Sequence, residues 1–401
     1  MPVSKLRIVL SIACLLGAPL VHAQAQDALA RAALASAERG EQASLPSSHP
    51  LQGWVEYAGL RRNVETLAPA QGLAFLQRYR DQPVTQAFRE TWLASLARRA
   101  DWTTFGAAWS PAITNTALRC NELEARLRRG GNDAHWTRDV QAVWRSGGSS
   151  LPDACDPPFA ALAAQGGLAP ALRWERIEKA VETWQPGVMR AAARGLPADE
   201  LALANDYAAF LDTPHERALA WPKTPRSRLV ASHGLAKLAK ASPMAGEAQL
   251  SRYGSALGFT EADRGRVLYQ AALWTVASYL PDSARLLNAV PASAFDERLH
   301  EWRVREALAR SDWRAARDAI GKMGQTQRED SRWTYFAART AELTGDKAGA
   351  QALYRNAARA PDFHGFLAAD RIDQPYALCP WQPKDAPAAS AAVANDPGML
   401  R

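Results

Sequence analysis

Val304-Arg305-Glu306-Ala307-Leu308-Ala309-Arg310-Ser311-Asp312-Trp313-Arg314-Ala315-Ala316-Arg317-Asp318-Ala319-Ile320 is the stretch that decides the fold class. Before Ser311, the residues Val304, Ala307 and Leu308 fall at i, i+3 and i+4, one apolar stripe of a helix. After Asp312, the residues Trp313, Ala316 and Ile320 mark a second stripe. Between the two helices stands a turn of two residues. A small residue ends one helix, and an aspartate side chain can accept a backbone N–H of the next. The pattern returns with Trp333, Phe336 and Ala337, then Thr344-Gly345-Asp346, then Ala350, Leu353, Tyr354, Ala357 and Ala358. Asp312 and Asp346 are 34 residues apart, the period of a tetratricopeptide-like helix pair. Toward the N-terminus, Phe88, Trp92 and Leu96 lead through Arg99-Ala100-Asp101 to Trp102, Phe105 and Trp109, the same unit again.

Each hairpin carries an apolar face that only a neighbouring hairpin can cover. The expected fold is therefore all-α, a superhelix of stacked helical hairpins: an α-solenoid, shaped as a ring or horseshoe. The pattern breaks at 147–158, 166–170 and 221–225, which read as loops between layers or as bends. The composition agrees with a packed chain. Of 401 residues, 47% are hydrophobic and 22% charged, which excludes a disordered protein. The formal charge of +7 favours anionic partners.

Residues 1–23 read as a secretory leader. Lys5 and Arg7 form a basic start, residues 8–16 are apolar, and Val21-His22-Ala23 is a small-x-small cleavage site. The apolar run is shorter than the roughly 20 residues a membrane span needs, and no later run is longer. The mature protein is expected in the periplasm, with no transmembrane segment after leader removal, and export makes nucleic acid a poor partner. Residues 24–380 are expected to form the superhelical domain. Residues 381–401 read as a linker rich in Pro and Ala, with the truncated start of a following domain.

Of four cysteines, Cys14 leaves with the leader. Among Cys120, Cys155 and Cys379, an oxidising compartment makes Cys120 and Cys155 disulfide partners, with three unpaired buried thiols as the alternative. No P-loop, G-x-G-x-x-G, H-E-x-x-H or G-x-S-x-G motif is present, and the 7 histidines are scattered. No metal site, no cofactor and no catalytic residue is expected from the sequence. The 14 tryptophans could stack on sugar rings, but Trp92, Trp102, Trp302, Trp313 and Trp333 sit at core spacing. No acidic residue is marked by an apolar surround that would raise its pKa.

A segment near the C-terminus carries a resemblance. Over 360–380, Pro361 is expected to open a short helix, Phe363, Phe366 and Leu367 to form its apolar face, and Pro375 to end it. Phe363-His364-Gly365-Phe366-Leu367-Ala368-Ala369-Asp370-Arg371-Ile372, with Pro375-Tyr376, resembles the soluble lytic murein transglycosylases, in which His364 is usually tyrosine. Trp333-Thr334-Tyr335-Phe336-Ala337-Ala338-Arg339, Leu51-Gln52-Gly53-Trp54-Val55-Glu56-Tyr57, and the segments around Cys120 and Cys155 are similar to the same family.

The resemblance implies cleavage of the β-1,4 bond between N-acetylmuramic acid and N-acetylglucosamine, with a 1,6-anhydro product. It further implies one glutamate as acid and base, in a lysozyme-like domain that follows a superhelix and linker. Peptidoglycan glycan strands are the implied partner, together with a catalytic domain or other cell-wall proteins. No Glu-Ser followed by Gly-Leu-Met-Gln occurs in these residues. The chain is therefore expected to be the scaffold of such an enzyme, inactive by itself. A periplasmic helical-repeat module that binds proteins is the alternative.

Overall fold

The computed structural model describes residues 28–378 and 386–394. The expected leader, Cys379 and most of the 381–401 segment lie outside the described residues. Among the described residues there is no strand. The chain is all-α, as its hairpin pattern requires, and it divides into two compact units whose boundaries fall at 144/145, 150/151 and 167/168. The boundaries at 150/151 and 167/168 fall within the pattern breaks at 147–158 and 166–170.

The first unit holds α1 (28–39), α2 (Gln52–Arg62), α3 (Pro69–Arg78), α4 (Pro83–Arg98), α5 (Trp102–Ala108), α6 (Thr116–Arg128), α7 (Ala134–Trp144) and α8 (Asp156–Ala164). The second unit begins with α9 (Pro170–Glu182), α10 (Pro186–Ala193), α11 (Ala198–Asp212), α12 (Pro225–Ala241) and α13 (Pro243–Leu257). It continues through α14 (Glu261–Ala277), α15 (Ser283–Ala289), α16 (Glu297–Ala309) and α17 (Trp313–Gly321). It finishes with α18 (Gln325–Glu329), α19 (Ser331–Leu343), α20 (Lys347–Ala357) and α21 (Phe363–Arg371). A further helix, α22 (Pro387–Ala394), follows. Proline sits in the first turn of α3, α4, α8, α9, α10, α12 and α13, where its missing N–H leaves nothing unsatisfied.

In the second unit, helices pack on sequence neighbours. The chain of contacts runs α9 to α10 to α11 to α12, then α12, α13 and α14 together, then α14, α15 and α16, then α16 and α17, then α17 and α19, and finally α19, α20 and α21. Nearest-neighbour packing of hairpins is the signature of a stacked array.

Three turns share one construction. Ala100, Ser311 and Gly345 take φ of +55°, +58° and +90°. The next residue is Asp101, Asp312 or Asp346, with φ, ψ of −82°, 71°; −86°, 80°; and −83°, 71°. Each aspartate N–H donates back to the carbonyl of Leu96, Ala307 or Ala341, at 2.9–3.0 Å, which closes the helix behind it. Each side chain accepts the N–H of Thr104 (3.1 Å), Ala315 (3.0 Å) or Gly349 (2.9 Å), which opens the helix ahead. One residue thus satisfies orphan groups of two helices.

The core of the first unit is aromatic. Phe75, Phe88, Trp92, Leu93, Leu96 and Phe105 are fully buried. Phe88 lies 4.3 Å from Phe75 and 5.6 Å from Trp92, centroid to centroid. The Trp92 indole rests on the bare backbone of Gly72, where a Cβ would run into the ring. Cys120 of α6 and Cys155, in the 3-10 turn before α8, form a disulfide with Cα atoms 4.8 Å apart. It closes a loop of 35 residues, for which the loop-entropy model gives about 3–4 kcal/mol.

The 360–380 segment differs from its sequence reading in three ways. Pro361 lies outside α21, and Asp362 is the N-cap, its carboxylate accepting the Gly365 N–H at 2.9 Å. The packed face is Gly365, Ala368 and Ala369, whereas Phe363 is 68% exposed and Phe366 and Leu367 are half-buried. Small residues win because α21 sits so close to the end of α20 that a Cβ on Gly365 would strike the Ala360 carbonyl. The helix ends through Asp373, at φ +52°, with Gln374 donating to the Ala369 carbonyl, before Pro375 is reached.

Replacing Asp312 with alanine should lower the unfolding free energy by about 1 kcal/mol, measured by urea unfolding. Gly72→Ala should cost about 1–3 kcal/mol by forcing the Trp92 ring off α3. The same measurement would show this as a lower midpoint with an unchanged slope.

Candidate functional site: an aromatic and cationic face

Turns like those above need a residue in the left-handed region, where glycine is at ease and bulky residues are strained. Two such positions in the second unit carry large aromatics. Trp184, just past α9, has φ +56°; its N–H donates to the Val181 carbonyl (3.1 Å) and the Gln185 N–H to that of Ala180 (2.8 Å). Tyr279, just past α14, has φ +53°, with the same pair of bonds to Val276 (3.0 Å) and, from Leu280, to Thr275 (3.1 Å). Each placement costs about 1–3 kcal/mol of backbone strain.

The two strained rings stand beside further aromatics and cations. Lys240, in the last turn of α12, places Nζ 5.3 Å from the Trp184 ring centroid and 5.4 Å from that of Trp274 on α14. The ammonium therefore lies between two indole faces, which attract it electrostatically. Trp274 Nε1 donates to Gln270 at 3.0 Å, which fixes its ring. Trp184 Nε1 is buried and has no hydrogen-bond partner among the described residues. Beyond the last turn of α14, the 72% exposed Tyr279 meets Trp302 of α16 edge to face at 6.1 Å. Arg305 lies 5.1 Å over the Trp302 ring, held by Glu301 at 2.8 Å.

The same helices are cross-braced elsewhere along their length. Arg226 of α12 stacks 4.1 Å over Trp174 of α9 and donates to Glu178 at 2.8 Å. Arg266 of α14 donates to Ser232 of α12 (2.5 Å) and to Asp263 (3.3 Å). His233 is held neutral there. Burial, reinforced by the Arg266 charge and opposed by Asp263, lowers its pKa to about 4. The two clusters, Trp184–Lys240–Trp274 and Tyr279–Trp302–Arg305, each offer flat rings and a fixed cation, the chemistry that stacks on sugar rings and holds anionic substituents. They hold no nucleophile paired with a base, so they read as a binding surface.

The residues singled out from sequence are partly brought together. Phe366 packs on Tyr376 at 4.8 Å, and the Tyr376 hydroxyl donates to Asp370 at 2.9 Å, so the chain after α21 folds back on that helix. Gly365 and Ala369 are buried in the packed face of α21, whereas Phe363, Arg371 and Pro375 are exposed. His364 lies 6.0 Å from Tyr335 and 5.9 Å from Phe336, and burial holds its pKa below the usual value. Among the described residues, no group of His, Cys, Asp or Glu could hold a metal ion. No described helix is long and apolar enough to cross a membrane.

Core spacing serves the tryptophans unevenly. Trp92 and Trp333 are buried, but Trp102, Trp302 and Trp313 are only half-buried. Trp184 and Tyr279 were not singled out by periodicity, because both stand outside helices. Their local signal is an aromatic two residues before a proline, Trp184-Gln185-Pro186 and Tyr279-Leu280-Pro281. One carboxyl does carry a raised pKa, contrary to the sequence reading. Burial raises Glu122, opposed by the Arg126 guanidinium 3.8 Å away. The burial comes from the α6–α7 packing, which composition does not reveal.

These features define a class: an all-α protein of stacked helical hairpins with an aromatic, cationic face. No family model matches the chain. It is 23% identical over 337 residues to a soluble lytic murein transglycosylase of Escherichia coli K12, covering 82% of this chain and 52% of that protein. It is 24% identical over 363 residues to its counterpart in Salmonella typhimurium, covering 88% and 55%. Among solved structures, an inactive mutant of the lytic transglycosylase Slt from Pseudomonas aeruginosa aligns with a TM-score of 0.67 and 27% identity, over 88% of this chain and 57% of that one. The 70 kDa soluble lytic transglycosylase of Escherichia coli shares the fold, with a TM-score of 0.73 and 22% identity over the same shares. The chain is thus similar to soluble lytic murein transglycosylases, and it spans about half the length of the curated relatives it matches.

The neutral burial of His233 sets a pH dependence. Its folded pKa lies below the ordinary value of 6.5, so the stability it contributes is present above pH 6.5 and is lost as pH falls toward 4. The loss amounts to about 3 kcal/mol. In His233→Gln, acid unfolding followed by circular dichroism should lose less stability than wild type over that window.

Proposed function

We propose that residues 24–380 form a peptidoglycan-associated scaffold, delivered to the periplasm by a leader at 1–23. Residues 381–401 lead out of it as a linker. The scaffold holds glycan strands of the wall, and the 401 residues do not themselves cleave them. The observation that carries this reading is the Lys240 ammonium set between Trp184 and Trp274, with Tyr279, Trp302 and Arg305 beyond the end of α14. Two of those rings are kept in a backbone conformation that glycine would adopt at less cost. A surface retained against strain supports a binding role. The kinship to murein transglycosylases supports wall polysaccharide as the ligand, and the basic charge suits an anionic wall.

The alternative reading, a helical-repeat module for protein partners, draws on the exposed Phe363, Tyr376 and Leu378 around α21. Sedimentation with purified sacculi separates the two. The chain should pellet with sacculi and release no anhydromuropeptides. Failure to pellet, alongside a protein that co-purifies stoichiometrically, would favour the alternative, and released anhydromuropeptides would overturn the inactive scaffold. Tyr279→Gly should weaken pelleting while raising the unfolding free energy by up to about 1 kcal/mol, measured by urea unfolding.

A further inference from the structure

The first unit contains an open groove of about 560 Å³ that the aromatic face of the second unit does not use. Its floor is small and apolar, formed by Ala94 and Ala97 of α4 and by Ala117 of α6, with the half-buried Trp102 at one side. Its polar groups are partly committed to the protein in a systematic way. Asn115 caps α6 with its carbonyl oxygen, which accepts the Leu118 N–H at 3.2 Å, and its amide NH2 has no partner among the described residues. Asn121 makes no side-chain hydrogen bond among the described residues. Glu90 accepts from Gln86 through Oε1 (2.6 Å), and Glu124 accepts from Arg128 through Oε1 (3.0 Å). In both carboxylates the second oxygen remains for a ligand.

This is a donor and acceptor set for a sugar. Amide NH2 groups can donate to an acetamido carbonyl, carboxylate oxygens can accept from hydroxyls and from an acetamido N–H, and an indole can take the apolar face of a pyranose. Charge at the groove is largely balanced, with Arg98 at the rim paired to Glu65 and Glu124 paired to Arg128. Glu90 is left without an ion pair among the described residues, which disfavours a carboxylate-bearing sugar. We propose that this groove binds a neutral N-acetylhexosamine, complementary to the cationic face of the second unit. The choice of sugar rests on the glycan reading above, whereas the groove does not.

The wall opposite α4 is fastened covalently. Ala154, which lines the groove, precedes Cys155, and Cys155 is bonded to Cys120 on α6 beside Asn121. The disulfide therefore holds one wall of the groove in place, and reduction should loosen the site before it unfolds the unit.

Calorimetric titration of the full chain with triacetylchitotriose, up to about 10 mM, tests the proposal. An oligosaccharide of alternating N-acetylglucosamine and glucuronate serves as the anionic control. The neutral sugar should bind and the anionic one should not. Asn121→Ala and Glu124→Gln should each weaken binding about tenfold, with an unchanged thermal midpoint for Asn121→Ala. Dithiothreitol should weaken binding at least about threefold under conditions where circular dichroism shows the helices intact. If the reduced chain unfolds, the Asn121→Ala result decides. Absence of chitotriose binding, or binding unaffected by Asn121→Ala, would overturn the groove while leaving sedimentation with sacculi untouched. Loss of sedimentation with chitotriose binding retained would overturn the scaffold reading and leave the groove standing.

Discussion

An aspartate shared by two helices is the constraint on which the array depends. At Asp101, Asp312 and Asp346 the backbone N–H closes one helix and the side chain opens the next. A left-handed residue and the aspartate after it make each turn, so the crossing of the two helices is set by the dihedral angles of a short, repeated segment. The near-identical φ and ψ of the three aspartates are the result. With the hairpin geometry fixed locally, tertiary contacts have only to choose which apolar faces meet. This is how a chain with irregular repeats still builds regular layers.

Much of that construction is legible in the amino-acid order. Val304 and Ala307, then Ala316 and Ile320, are buried where the helical period puts them. The aspartates are readable because capping is local chemistry, independent of distant contacts. The 360–380 segment is less legible, because periodicity counts Phe363 and Leu367 as core without knowing how near α20 approaches. Only a close approach makes Gly365, Ala368 and Ala369 the better packing surface. The candidate site was harder still. Trp184 and Tyr279 lie in turns, where periodicity carries no information, and their significance comes from a positive φ that sequence alone does not display.

The strained aromatics follow helices that are tied to one another along their length. Arg226 on Trp174 joins α12 to α9, and Arg266 on Ser232 joins α14 to α12. His233 is buried neutral beside Arg266. Charges that would otherwise be solvated are used as ties between layers.

The bond between Cys120 and Cys155 has a bearing on where the chain is able to be folded. About 3–4 kcal/mol is a large share of the 5–15 kcal/mol that separates a typical domain from its unfolded state. In a reducing compartment that share is missing from the first unit. Reduction therefore leaves this unit easier to unfold, and oxidation of the two thiols fastens it again. The disulfide thus ties the firmness of one unit to the redox state of its surroundings.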